Sequence, residues 1–175
     1  MASEPNPESF AAVVLPHLDA AYNLARWLMR SGHDAEDVVQ EAMVRALTYF
    51  PSFRGVNARG WLLQIVRNAA FASMKPSRGA LPPADAVGDE EPALADPGDD
   101  PEISLMKSEE RRRLAAALAG LAVELREVLV LRELQELSYK EIAQITQSPI
   151  GTVMSRLWRA RRELAGAVLA AERAR

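Results

Sequence analysis

The sequence predicts an all-α protein of two small helical domains joined by a flexible acidic linker. Apolar residues recur at threes and fours through residues 10–28, 39–50, 61–74 and again 150–164, the spacing of helices with one buried face. No stretch alternates apolar and polar residues as a half-buried strand does. Residues 76–101 hold six prolines and three glycines among many acids, with no periodicity, a composition that cannot build a packed core. The expected division is a domain at 1–76, a linker at 77–108 and a second domain at 109–175.

The first helix starts at Asn6 and Pro7, a capping residue followed by proline at the first helical position. Its apolar positions run from Phe10, Val13 and Val14 to Leu24, Ala25 and Leu28; Pro16 predicts a kink and Gly32 the end. Asp34 opens a second helix with Val39, Met43, Leu47 and Phe50 as its stripe, stopped by Pro51. A loop, 52–59, leads to a third helix at 60–75, with Trp61, Leu62, Ile65, Val66, Ala69 and Met74 turned inward. Trp61 is in phase with Ile65 and Ala69, so it is expected in the core.

In the second half, helices are expected near 105–119 and at 123–135. Ser138 and Glu141 form a capping box that starts a short helix ending near Ile145. Ser148 then caps a last helix, 149–171, with Pro149 at its first position. Two helices joined by so tight a turn predict a helix-turn-helix.

Composition narrows the function. Apolar residues make up 49% of the chain, yet no run approaches the ~20 needed to span a bilayer, and there is no cysteine. The first eight residues lack the basic-then-apolar order of a secretory leader, and the expected location is the cytoplasm. His17 and His33 have no second ligand at metal spacing, and Asp34, Glu36 and Asp37 lack an EF-hand's spacing. No catalytic group, metal site or cofactor is expected.

The net charge of −3 hides an asymmetry. Residues 1–76 are balanced, 77–108 carry a net −6, and 109–175 carry a net +3. Nucleic acid is therefore a candidate partner of the last third. There the last helix carries Ile150, Val153, Leu157, Ala160 and Leu164 on one side. Thr152, Ser155, Arg156, Arg159 and Arg162 lie on the other, with Arg161 alongside. Such a helix suits a major groove, its N-terminal residues reaching base edges and its guanidinium groups neutralising phosphates.

The segments LSYKEIA (137–143), PIGTV (149–153), SRL (155–157) and RAR (159–161) resemble region 4 of the extracytoplasmic-function sigma factors of bacterial RNA polymerase. The resemblance implies that this unit reads the −35 promoter element, through Ser148, Thr152, Ser155, Arg156, Arg159 and Arg162. Met154 stands where many members carry Lys or Arg.

The acids of DAEDVVQE (34–41) admit two explanations from the residues alone: carboxylates stabilise the positive end of a helix dipole, or they dock to a basic surface. The segment resembles region 2 of the same family. That implies docking to the β′ clamp helices of core polymerase through Asp34, Glu36, Asp37, Gln40 and Glu41, with Leu47 replacing the usual aromatic. In the loop, Arg54 and Arg59 are placed to hold a phosphate backbone and Asn57 to read a base edge. The patterns FRG (53–55) and RGWLLQIVRN (59–68) resemble the family's segments for −10 recognition and melting. They add Phe53, Arg67 and Asn68 to that set; Ala72 occupies the place of a usual Asp.

The expected function is thus a promoter-directing subunit of RNA polymerase, contacting the β′ clamp, the β flap and promoter DNA. By family resemblance it acts in a stress or envelope response under an anti-sigma factor. The rivals are a stand-alone helix-turn-helix regulator and an all-helical adaptor that binds only protein. The two domains are expected to move freely about the linker.

Overall fold

The structure, a computed structural model, describes residues 7–75 and 101–174, and among these residues it is helical with no strand. The Asn6 cap, Pro76 and residues 77–100 of the expected linker lie outside the described residues.

Helix α1 (Pro7–Val14) meets α2 (Leu18–Leu28) through a 3-10 turn, Leu15–His17, so Pro16 breaks the helix where expected, since it has no N–H to give. The chain leaves α2 at Met29, whose backbone is extended, well before Gly32. Gly32 does not end a helix; it is the first residue of α3 (Gly32–Tyr49). Ser31 supplies the cap, its side chain accepting from the Asp34 N–H at 3.1 Å. Helix α4 (Ala58–Met74) starts two residues earlier than expected because Asn57 caps it, Oδ1 accepting from the Gly60 N–H at 2.9 Å. A Cβ on Gly60 would lie 2.8 Å from Asn57 Nδ2, so this cap needs glycine there.

The N-terminal core is built by α2, α3 and α4 packing on one another. The buried stripe of α3 is Ala35, Val38, Val39, Ala42 and Ala46, and the expected Leu47 lies outside it, 43% exposed. Small side chains let α3 approach its neighbours closely, and this places the face one step away from the largest residues. On α4, Leu62, Leu63, Val66, Ala69 and Ala70 are buried; Trp61 and Ile65 sit at the rim and Met74 is exposed.

The C-terminal half begins with α5 (Pro101–Ala119), so residues 101–108, expected as the end of the linker, are helical. Helix α6 (Val123–Leu129) passes into a π turn, Val130–Leu134, which buries Val130 and Leu131. The capping box of α7 (Tyr139–Thr146) forms in full: Ser138 Oγ accepts from the Glu141 N–H at 3.2 Å, and Glu141 Oε2 accepts from the Ser138 N–H at 2.8 Å. Gln147 turns the chain with a left-handed backbone, φ 52°. Helix α8 (Ile150–Arg173) follows, burying Val153, Leu157 and Ala160 but leaving Ile150 exposed. Pro149, not Ser148, is the residue before the helix; Ser148 Oγ instead donates to the Thr146 carbonyl at 3.2 Å.

The halves do not stand apart. α4 packs against α7, and α2 against α6, so in this arrangement the two units expected to be tethered share an interface. Ser138→Ala should lower the unfolding free energy by about 1 kcal/mol, the usual cost of a lost cap, in urea titrations followed by circular dichroism. An unchanged midpoint would contradict the part assigned to the box.

Candidate nucleic-acid interface

Three groups of side chains were expected to act, and they meet different surroundings. The acidic group lies along the outer side of α3, with Asp34, Glu36, Asp37, Gln40 and Glu41 all exposed. Asp34 sits in the first turn, where its charge suits the helix dipole. Glu41 pairs with Arg45 at 2.7 Å, and Asp37 lies 3.8 Å from His33 Nε2. Both are exposed pairs of little energetic weight, so the edge remains an open acidic surface. Exposed Val44 and Leu47 continue it with apolar area.

The loop group is tied down by aromatic packing. Phe53 leans against Trp61 at a tilt with ring centroids 4.8 Å apart, and Phe50 meets Phe10 edge-on at 5.4 Å. Arg54 folds back on its own loop, Nη1 donating to the Pro51 carbonyl at 2.7 Å. Asn57 is committed twice: Oδ1 caps α4, and Nδ2 donates to Glu141 Oε1 of the other domain at 3.3 Å. Arg59 also reaches across, Nη2 donating to the Gln135 carbonyl at 2.7 Å and to Gln135 Oε1 at 2.6 Å. Between this loop and α7 lies a groove of about 600 Å³ lined by Phe53, Asn57, Trp61, Glu141 and Gln144. Asn68 is half-buried on α4.

Arg67 has the most consequential partner. Its Nε donates to Glu127 Oε1 at 2.6 Å, and its guanidinium lies 4.0 Å from the Phe71 ring centroid. The Glu127 side chain has no exposed area and that of Arg67 has 17%. Among the described residues, Glu127 Oε2 is buried without a hydrogen-bond partner. Glu127, Gln135 and Glu141 were not anticipated as site residues. For Glu127 a signal existed: one carboxylate among Leu125, Val128, Leu129, Val130 and Leu131 has to be paired if that segment is buried.

On α8 the expected row divides. Arg159 and Arg162 are exposed, Arg159 beside Glu163 at 3.5 Å and Arg162 over the Trp158 ring at 4.6 Å. Ser155 is exposed and donates to the Thr152 carbonyl at 3.0 Å; Thr152 is half-buried at the helix start. Arg156 is half-buried and turned inward, Nη1 donating to Ser148 Oγ at 3.3 Å. Arg161 is engaged by Glu133 at 2.6 Å. The open cationic face of α8 is therefore Arg159 and Arg162, midway along the helix, with exposed Met154 and Trp158 nearby.

Electrostatics single out two carboxyls. Burial pushes Glu127 above the ordinary carboxylate range, against the opposing hydrogen bond and charge of Arg67. Hydrogen bonds from the Ser138 N–H and hydroxyl hold Glu141 below it. A carboxyl raised in the folded chain binds its proton more tightly there than when unfolded. The stability tied to that proton is full below the unfolded value, about 4.3, and is lost as pH rises through the folded value. Glu127→Gln has no such proton to lose, so it should gain stability relative to the unsubstituted chain as pH rises across that window. Parallel pH profiles in urea unfolding would contradict the raised carboxyl.

Both halves of the chain match known proteins. Residues 13–75 match the family model for sigma-70 region 2, and residues 111–164 match that for sigma-70 region 4. The chain is 37% identical to the ECF RNA polymerase sigma-E factor of Haemophilus influenzae, over 79% of this chain and 75% of that one. It is 37% identical to the Escherichia coli ECF RNA polymerase sigma-E factor, over 88% and 83% respectively. With the RNA polymerase sigma-H factor of Pseudomonas aeruginosa it shares 33%, over 87% and 82%. Among solved structures it is similar to the sigma factor RpoE in complex with the anti-sigma factor NepR from Bartonella quintana. The TM-score is 0.68 at 26% identity, covering 92% of this chain and 97% of that one. The fold is also that of CnrH, solved with the cytosolic domain of CnrY: TM-score 0.65 at 24% identity, covering 97% and 93%.

Proposed function

The chain belongs to the sigma-70 family, in its extracytoplasmic-function branch, and we propose how its two helical units divide the work of promoter-directed transcription initiation. The observation that carries the proposal is the separation of charge on rigid helices. The acidic edge of α3 is open on one unit, and the Arg159–Arg162 face of α8 is open on the other.

The unit up to residue 76 docks on the β′ clamp through Asp34, Glu36, Asp37, Gln40 and Glu41, where exposed carboxylates meet a basic helical surface. Phe53, Arg54, Asn57, Arg59, Arg67 and Asn68 engage the melted −10 strand. An aromatic ring stacks on a base, an amide reads its edge, and guanidinium groups hold phosphates. The unit from residue 109 places the N-terminal part of α8 in the major groove of the −35 element. Thr152 and Ser155 face the bases there, and Arg159 and Arg162 the phosphates; Ser148 and Arg156 brace the turn at 3.3 Å and contact DNA once released. This unit also contacts the β flap. Residues 77–108 connect the units, with 101–108 already part of α5.

The protein acts as a binding subunit in the cytoplasm, and the chemistry of RNA synthesis belongs to the polymerase. A similar sigma factor was solved with an anti-sigma factor, which supports control of this chain by a partner of that kind.

Run-off transcription from a fragment carrying the protein's own upstream region, with bacterial core polymerase, tests the proposal. A discrete transcript should require both components. Asp37→Arg, at an exposed position that leaves the core intact, should abolish it. Arg159→Ala should weaken promoter binding across sequences and lower the salt slope of log K by about 1. Transcription that survives Asp37→Arg would remove the clamp-docking edge from the account.

A further inference from the structure

Helix α8 buries Val153, Leu157 and Ala160 and turns the opposite face to solvent. At about 3.6 residues per turn, that outer face carries Gly151, Ser155, Trp158 and Arg162, with Met154 on one flank and Arg159 on the other. Thr152 is half-buried at its margin, and Arg156 turns inward to Ser148 Oγ at 3.3 Å. The large side chains next to Ser155 are therefore Trp158 and Met154, 60% and 52% exposed. Neither belongs to the set read above as meeting the −35 element.

A single apolar side chain on a surface needs no explanation, but these two form one patch. They stand four positions apart, so their side chains are neighbours on the helix. With Tyr139 and Leu157 they wall an open groove of about 510 Å³ whose rim is Arg161 and Arg162. Arg162 lies over the Trp158 ring at 4.6 Å, and Arg161 is held by Glu133 at 2.6 Å. The patch is an apolar opening within a cationic face.

We propose that Met154 and Trp158 determine specificity at the −35 element by receiving the C5-methyl group of a thymine. The proposal rests on the placement of α8 in the major groove. Base edges there present hydrogen-bond donors and acceptors and one apolar group, the thymine methyl. The Met154 thioether donates no hydrogen bond and accepts only weakly, so it gains little from any other base edge. A thymine methyl placed against it leaves water together with the apolar side chain. Met154 is unbranched and polarisable and can follow the methyl, while Trp158, with Arg162 on its ring, is the fixed wall. Arg159 and Arg162 meet phosphates and add affinity without a base preference.

The test uses the holoenzyme, core polymerase with the full chain, on the run-off fragment with its −35 stretch randomised. Retained fragments are sequenced after selection from two pools, one copied with thymidine triphosphate and one with deoxyuridine triphosphate. Uracil differs from thymine only in lacking the methyl. At one or two positions thymine should be enriched, and uracil about fourfold less so, the worth of one buried methyl group. Met154→Ala and Trp158→Ala, both at exposed positions, should remove that difference and leave core binding unchanged. Met154→Lys should move the preference at the same position to guanine, whose O6 and N7 accept from a lysine. Arg159→Ala should lower retention of both pools alike.

Equal enrichment of thymine and uracil by the unsubstituted holoenzyme overturns the proposal. If Arg159→Ala still lowers retention, the placement of α8 in the duplex survives that result. Retention that Arg159→Ala leaves unchanged removes α8 from the duplex, and the proposal with it. A methyl preference that survives both alanine variants belongs to another residue and overturns the assignment. Loss of core binding in either variant gives the patch to a protein partner and overturns it equally.

Discussion

Glu127 is a carboxylate with no exposed surface, and Arg67 of the other domain donates to it at 2.6 Å. An ionised carboxylate is costly to remove from water unless cations and hydrogen bonds offset the loss; here Arg67, from a distant part of the chain, supplies the hydrogen bond, and the charge of Arg156 adds to its own. Separating the domains would leave Glu127 without the Arg67 guanidinium, so the charge in α6 and the position of α4 are coupled. The orphaned Oε2 keeps this pairing from being ideal, and burial accordingly raises the carboxyl's proton affinity. A pair of this kind stabilises one arrangement over others more than it stabilises the fold.

From that constraint the rest follows in order. With α4 packed against α7 and tied to α6 through Arg67, the loop before α4 is brought beside the capping box, and Glu141 serves both its own helix and Asn57. Gln135, at the end of the π turn, is placed to accept Arg59. The donors that suit a phosphate backbone are thereby engaged, while the acidic edge of α3 and the outer cations of α8 face solvent. One chain thus presents an open acidic edge on α3 and an open cationic face on α8 in the same arrangement.

Local chemistry made much of this legible in the residues alone. The Ser138–Glu141 box, the break at Pro16 and the tight turn before α8 each depend on neighbours within a few positions, and each formed. Competition between neighbours was harder to resolve. Ser31 outranks Gly32 as a helix boundary because its hydroxyl satisfies a free N–H, and Asn57 is drawn into capping by the same need. The face of α3 was misplaced because alanines, weak in a hydrophobic count, allow the closest helix approach and leave Leu47 outside. The contacts across the domain interface were not legible: partners 60 to 115 residues apart leave no periodic trace. Only the carboxylate of Glu127, set just before the apolar run 128–131 and after Leu125, marked that something had to meet it.

Energetic coupling between the domains is the central claim, and a double-mutant cycle on unfolding free energy measures it. Arg67→Met and Glu127→Gln, singly and together, are compared in urea titrations of the full chain. The account predicts a coupling energy of about 1–3 kcal/mol, because either single substitution leaves the other group buried without its partner. Additivity within about 0.5 kcal/mol would mean that the pair does not join the domains.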